Sequence, residues 1–249
     1  MMCGIIAYFG KDTFSVLIKG LQLLQNRGYD SAGICSIKNN KFVLNKLASS
    51  NNIKAIEKLI NFEDNYKKCN IGIGHTRWAT HGGKTDINAH PHIDYHNTFS
   101  IVHNGIIENY LEIKQLLEKE GYTFKSECDS EVICNYLSYQ YKKLQDTKLA
   151  ILKMNEILEG TYGIVILKID EPNKLYCIRL GSPLLVGINN KEAFIVSESL
   201  AFQNRVNNYF CLGNNDLCVI EYKDDKIIYN NNNNYQLKKN YIEDNKLSP

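Results

Sequence analysis

The chain has 249 residues, 29 Lys and Arg against 27 Asp and Glu, a formal charge of +2 and 44% hydrophobic residues. Both signs of charge are mixed along it, without the basic stripe of a nucleic-acid binder, and no apolar run approaches the eighteen or so residues that cross a bilayer. Neither nucleic acid nor membrane is therefore expected as a partner, and the length suits one α/β domain, or two small ones, with a sizeable core.

The start has no charged-then-apolar secretory pattern, and the eight cysteines lie scattered in hydrophobic runs without a C-x-x-C pair. They read as reduced core residues of a soluble, cytoplasmic protein.

In chain order, apolar runs rich in β-branched and aromatic residues predict strands over 4–10, 31–37, 41–47, 70–75 and 98–103. More follow over 163–169, 174–180, 184–188, 193–197 and 217–222. Helical spacing falls between them: Phe14-Leu17-Ile18-Leu21-Leu24, Tyr110-Ile113-Leu116-Leu117, Val132-Ile133-Tyr136-Leu137, and Leu149-Leu152-Ile157. Short strands with helices in blocks, rather than β-α-β alternation, predict antiparallel sheets covered by helices. From Asn230 an asparagine run leads into polar sequence, so 3–229 is read as one domain and 230–249 as a tail or the start of an interdomain linker.

Several residues carry chemistry. Cys3, close to the start, can become N-terminal, and its thiol would then have its own α-amine as base; the competing reading is a first strand with a buried thiol. All six histidines fall between His75 and His103, together with the only tryptophan, Trp78. His90-Pro91-His92 with His96 lacks the helical i, i+4 spacing and acidic company of two-histidine metal sites, so no metal is expected. Arg77 suits a carboxylate held by a bidentate fork. Asn104-Gly105, after a strand, offers a side-chain amide and an unobstructed backbone N–H for one oxyanion, or else a simple turn. Asp129, before a helix, either caps it or holds a cationic amine.

The combination is more specific than its members. Cys3-Gly4-Ile5, Arg27-Gly28-Tyr29-Asp30-Ser31-Ala32-Gly33, His75 through Gly82, Asn88-Ala89-His90-Pro91-His92, His103-Asn104-Gly105-Ile106-Ile107-Glu108-Asn109 and Asp129-Ser130-Glu131 occur in that order. Together they resemble the glutaminase domain of glutamine–fructose-6-phosphate aminotransferase (isomerising), or glucosamine-6-phosphate synthase, from Cys3 to about Tyr222. The resemblance implies the N-terminal nucleophile hydrolase fold, an α+β four-layer α/β/β/α sandwich of two antiparallel sheets. It implies amide hydrolysis of L-glutamine through a Cys3 thioester, with Asn104 and Gly105 as oxyanion hole. Arg77 would hold the glutamine carboxylate and Asp129 its ammonium. Thr80 and His81 would lie in a loop over the substrate and Trp78 at the mouth of an ammonia channel, with His90 and Arg27 in support. No cofactor is implied. The implied partner is a sugar-isomerase domain or subunit that binds fructose 6-phosphate, a part this chain does not carry, which suggests a fragment or a split subunit of the synthase. Other class II amidotransferases, or a silent glutamine-binding subunit, are the alternatives.

Two departures stand out. The family pattern opens Met-Cys-Gly where this chain opens Met1-Met2-Cys3-Gly4, so the amine of Cys3 is expected to be free only if both methionines are absent. Asn26 replaces the tyrosine before the Arg-Gly-Tyr-Asp motif, a change expected to alter packing more than chemistry.

Overall fold

Every residue of Gly4–Phe9 is buried in the computed structural model, which describes residues 3–50, 52–78, 83–231 and 238–239. This strand, β1, is apolar on both faces because it is covered on both. Ile5, Ala7 and Phe9 enter one core and Ile6 and Tyr8 another, as the two-residue strand period requires.

The remaining elements follow as α1 (Thr13–Leu23), β2 (Ser31–Lys38), β3 (Lys41–Ala48), α2 (Ala55–Leu59), β4 (Ile71–Arg77), β5 (His92–Ile93), β6 (Phe99–Ile107) and α3 (Tyr110–Lys119). Then come α4 (Asp129–Leu144), α5 (Thr147–Ile157), β7 (Gly160–Lys168), β8 (Lys174–Leu180), β9 (Leu185–Ile188), β10 (Ala193–Val196), β11 (Asn208–Cys211), β12 (Leu217–Lys223), β13 (Lys226–Asn231) and β14 (Lys238–Lys239).

Among the described residues the strands form two sheets, ordered β14-β11-β9-β10-β1-β4-β2-β3 and β13-β12-β8-β7-β6-β5, with every pairing antiparallel. Three apolar cores divide the layers. Ile5, Ile73, Val102, Val165 and Val186 fill the space between the sheets. Leu17, Leu21, Ile56 and Leu59 of α1 and α2 close the outer face of the first sheet, and Ile113, Leu117, Val132, Leu137 and Ile151 of α3, α4 and α5 close that of the second. The α/β/β/α sandwich expected from the sequence is the observed fold.

The departures from the predicted elements are local. Strand β6 runs through Asn104-Gly105 to Ile107 instead of turning, with Asn104 opposite Gly163 and Gly105 opposite Tyr162. Strands β5, β11, β13 and β14 carry little apolar alternation because they are short or lie at sheet edges, where backbone pairing tolerates polar side chains. Of the segment read as a tail or linker, Asn230 and Asn231 pair with Val219 and Cys218, and Lys238–Lys239 pair with β11; the rest of it lies outside the described residues. Cys211 also departs from the core-cysteine expectation, being exposed. No helix among the described residues is long and apolar enough to cross a membrane.

Candidate active site

The antiparallel register of β1 and β4 sets Gly4 opposite Thr76 and Ile5 opposite His75, which carries Cys3 to the Arg77-Trp78 step. Gly4 must be small: a Cβ there would stand 2.6 Å from both Leu24 Cβ and Thr76 Oγ1. The backbone N–H of Trp78 donates to Cys3 Sγ at 3.2 Å, and the sulfur lies 3.8 Å from the Trp78 carbonyl oxygen. Gly28 permits a second close approach, since a Cβ there would meet Arg77 C at 2.6 Å and Trp78 N at 2.8 Å. The Gln25–Arg27 turn is thereby packed against the peptide that faces the sulfur.

Strand parity explains why residues of both sheets converge. On β4, Ile71 and Ile73 face the inter-sheet core, so His75 and Arg77 continue that face; on β6, Val102 does the same and Asn104 follows it. Asn104 Nδ2 donates to the Cys3 carbonyl oxygen at 2.6 Å. His75 Nε2 lies 2.9 Å from Asn104 Oδ1 and 3.0 Å from the His103 carbonyl oxygen. Gly105, at φ +127°, occupies backbone space closed to other residues: a Cβ would lie 1.9 Å from the Thr161 carbonyl oxygen.

His103 has the opposite parity and points toward α4. Its Nδ1 is 2.9 Å from Ser130 Oγ, whose hydroxyl lies 3.2 Å from Asp129 Oδ1, while Asp129 Oδ2 accepts the Ile107 N–H at 3.0 Å. Asp129 thus makes no capping bond to its own helix. Glu131 takes up the chain entering α4 instead, accepting from Lys125 N at 2.9 Å and from Ser126 N and Oγ at 2.6 Å each.

These groups line one pocket, bounded by Cys3, His75, Arg77, Trp78, His90, His103, Gly105, Cys128, Asp129 and Ser130. Its electrostatics follow from burial. Burial pushes the Cys3 thiol above its ordinary range, against the lowering effects of the Trp78 N–H and the Arg77 charge. Burial also holds His75 down to about 3 and His90 and His92 well below the usual imidazole range, so these rings are neutral. His90 stacks on His75 with ring centroids 4.1 Å apart, and its Nδ1 accepts the His103 N–H at 3.3 Å. Trp78 stands edge-on to the half-exposed Tyr29, 5.2 Å away.

Of the residues singled out in the sequence, Cys3, Arg77, Trp78, His90, Asn104, Gly105 and Asp129 are brought together. Thr80 and His81 lie outside the described residues, as does the side chain of Arg27. The sequence reading gave no separate role to His75, His103, Ser130 or Cys128, although they line the same pocket. Strand parity was the available signal for His75, two residues before Arg77 on one face.

A family model described as a glutamine amidotransferase domain matches residues 75–204, more than half of the chain. The chain belongs to the glutamine amidotransferase family. A protein of Acanthamoeba polyphaga mimivirus named "Probable glutamine--fructose-6-phosphate aminotransferase [isomerizing]" is 43% identical over 242 residues, covering 95% of this chain and 39% of that protein. The glutamine–fructose-6-phosphate aminotransferase (isomerizing) of Clostridium perfringens is 42% identical over 220 residues, covering 88% of this chain and 35% of its own length. The chain therefore spans little more than a third of the curated relatives it matches, and it is homologous to their glutaminase part. Among solved structures, glutamine phosphoribosylpyrophosphate amidotransferase from B. subtilis superposes with a TM-score of 0.75 at 23% identity, over 92% of this chain and 49% of that one. That likeness bears on the fold alone, and it extends across nearly the whole chain.

Proposed function

We propose that this amidotransferase domain hydrolyses L-glutamine at Cys3 and passes the ammonia to a sugar-isomerase domain or subunit acting on fructose 6-phosphate. The observation that carries the proposal is the convergence on Cys3 of Asn104 Nδ2 at its carbonyl and Trp78 N–H at its sulfur, inside a pocket lined by Arg77 and Asp129.

Glutamine is a zwitterion with a reactive amide at its far end. Arg77 takes the carboxylate and Asp129 the ammonium, which fixes the amide over Cys3. Thr80 and His81 follow Trp78 after the intervening Ala79 and would complete the closure over the substrate, with Arg27 and His90 supporting the walls. Trp78, beside Tyr29, stands where ammonia leaves.

With residues 1 and 2 removed, the α-amine of Cys3 takes the thiol proton as sulfur attacks the amide carbon. The C–S bond forms, and the carbonyl oxygen gains charge that Asn104 Nδ2–H and Gly105 N–H stabilise. Collapse breaks the C–N bond, the ammonium formed from the amine returns the proton to the leaving nitrogen, and ammonia departs. Water then cleaves the thioester and releases glutamate. The neutral histidines fit this scheme: among the described residues the hydrogen-bond partners of the sulfur are both on Trp78, so no imidazole is placed to act as its base. Eight cysteines without a disulfide fit a reducing compartment such as the cytoplasm.

The test is glutamate and ammonia release from L-glutamine by protein shown by intact mass to begin at Cys3. Turnover is expected, with a thioester mass adduct on quenching. Glutamine binding without turnover, even with the isomerase partner added, would leave a silent binding subunit.

A further inference from the structure

We infer that His75 is a positioning residue that sets the side-chain amide of Asn104, turning its N–H toward Cys3. The inference rests on Asn104 being an oxyanion donor, as proposed above.

The hydrogen-bond arithmetic leaves little freedom. His75 Nε2 has two oxygen neighbours, the His103 carbonyl at 3.0 Å and Asn104 Oδ1 at 2.9 Å. A carbonyl can only accept, so Nε2 must carry the hydrogen, and the same N–H then faces the Asn104 oxygen. The other end of the Asn104 amide points the opposite way, with Nδ2 donating to the Cys3 carbonyl at 2.6 Å. Turning the amide over would set its NH2 against the Nε2–H and two carbonyl oxygens against each other. Asparagine alone has two nearly isosteric orientations, and His75 removes one of them.

The ring itself is held. His75 is buried, stacked on His90 at 4.1 Å, and a partner of Gly33 across the β2–β4 pairing. Its Nδ1 is buried without a hydrogen-bond partner among the described residues. The tautomer is thereby fixed, since moving the proton to Nδ1 would leave two oxygens facing a lone pair. His75 touches no reacting atom; it acts through Asn104, on the donor that an oxyanion needs preorganised.

Two measurements test this. In the unaltered protein, 15N chemical shifts of His75 are expected to report Nε2–H with a bare Nδ1 throughout pH 6–8; the reverse tautomer overturns the inference. In kinetics, His75→Phe removes the donor and His75→Gln keeps an N–H near the Nε2 position. His75→Phe is expected to lower kcat by about 10- to 100-fold, less than the roughly 100- to 1,000-fold expected for Asn104→Ala, with KM for glutamine within about threefold. His75→Gln is expected to restore most of kcat. The double variant His75→Phe/Asn104→Ala should be no slower than Asn104→Ala by more than about threefold, because both act on one donor. Additive losses, or a KM that rises with the fall in kcat, would assign His75 a structural role only. An Asn104→Ala variant at full kcat would overturn the oxyanion reading itself, and the tautomer measurement would still say which way the amide is held.

Discussion

The Trp78 N–H points at the sulfur of Cys3 from 3.2 Å although 75 residues separate them, because β1 and β4 are paired in a register that ends at this contact. A neutral thiol is a poor acceptor and a thiolate a good one, so this N–H strengthens as the sulfur ionises. Burial acts the other way and dominates, which raises the thiol.

That balance makes the first prediction. Alkylation of Cys3 by iodoacetamide in the protein that still carries Met1 and Met2 should be slower at pH 7 than that of a free cysteine, and should climb with pH to a midpoint above the ordinary thiol range. A midpoint near neutrality would mean that Trp78 and Arg77 outweigh burial. Cys3→Ala should abolish glutamate release with an unchanged circular dichroism spectrum, since only one half-buried atom is lost.

Arg77 and Asp129 should divide the work of recognition. Arg77 is 5% exposed, so loss of its charge leaves a bound carboxylate buried without its partner. Arg77→Gln and Asp129→Asn are each expected to raise KM for glutamine by roughly thirtyfold or more, equivalent to about 2–5 kcal/mol. Titration with L-glutamate, the product carrying the same two charges, should weaken in parallel; unchanged glutamate affinity would remove the residue from the clamp.

Gly105→Ala should be costly to the fold as well as to turnover. Its φ of +127° and the 1.9 Å approach of a new Cβ to the Thr161 carbonyl both oppose substitution. A loss of about 2–4 kcal/mol in urea unfolding is expected, from backbone strain plus separation of β6 from β7. Gly121→Ala, also at positive φ but in open space, should lose less and serves as the control.

The histidine cluster predicts acid sensitivity of a definite sign. Burial depresses His75 to about 3 in the folded state, against about 6.5 when unfolded. The unfolded chain therefore binds the proton first, and stability present above about pH 6.5 drains away as pH falls from there toward the folded value. Each such histidine contributes a slope approaching about 1.4 kcal/mol per pH unit, and burial depresses His90 and His92 in the same direction. Urea midpoints measured between pH 6.5 and 5, above most carboxylate titrations, should fall steeply. A flat profile would show that these rings gain protons within the fold.

The architecture was largely legible because its signals are local. Ten of the strands and four of the α-helices carry their own periodicity, since each packs an apolar face into one of three cores. Lys226–Asn231 carries little: Ile227 and Tyr229 alternate onto the inter-sheet core, but a sheet edge asks mainly for backbone pairing, and Asn230 and Asn231 supply that as well as any residue. The Asn104-Gly105 step misled for a related reason. As a dipeptide it favours a turn, but pairing with Tyr162 and Gly163 carries the strand straight through it.

The sequence by itself determined which chemical groups this protein has: a cysteine near the start, an arginine, an aspartate, an Asn-Gly step and a crowd of histidines in a recognisable order. Only the tertiary structure decided what each of them does to its neighbours. Register and strand parity put Cys3, His75, Arg77 and Asn104 into the same layer between two sheets and sent His103 to the other side, toward Ser130. Neither property can be read from a single segment, because a shift of one residue in either pairing would turn these side chains to the opposite face.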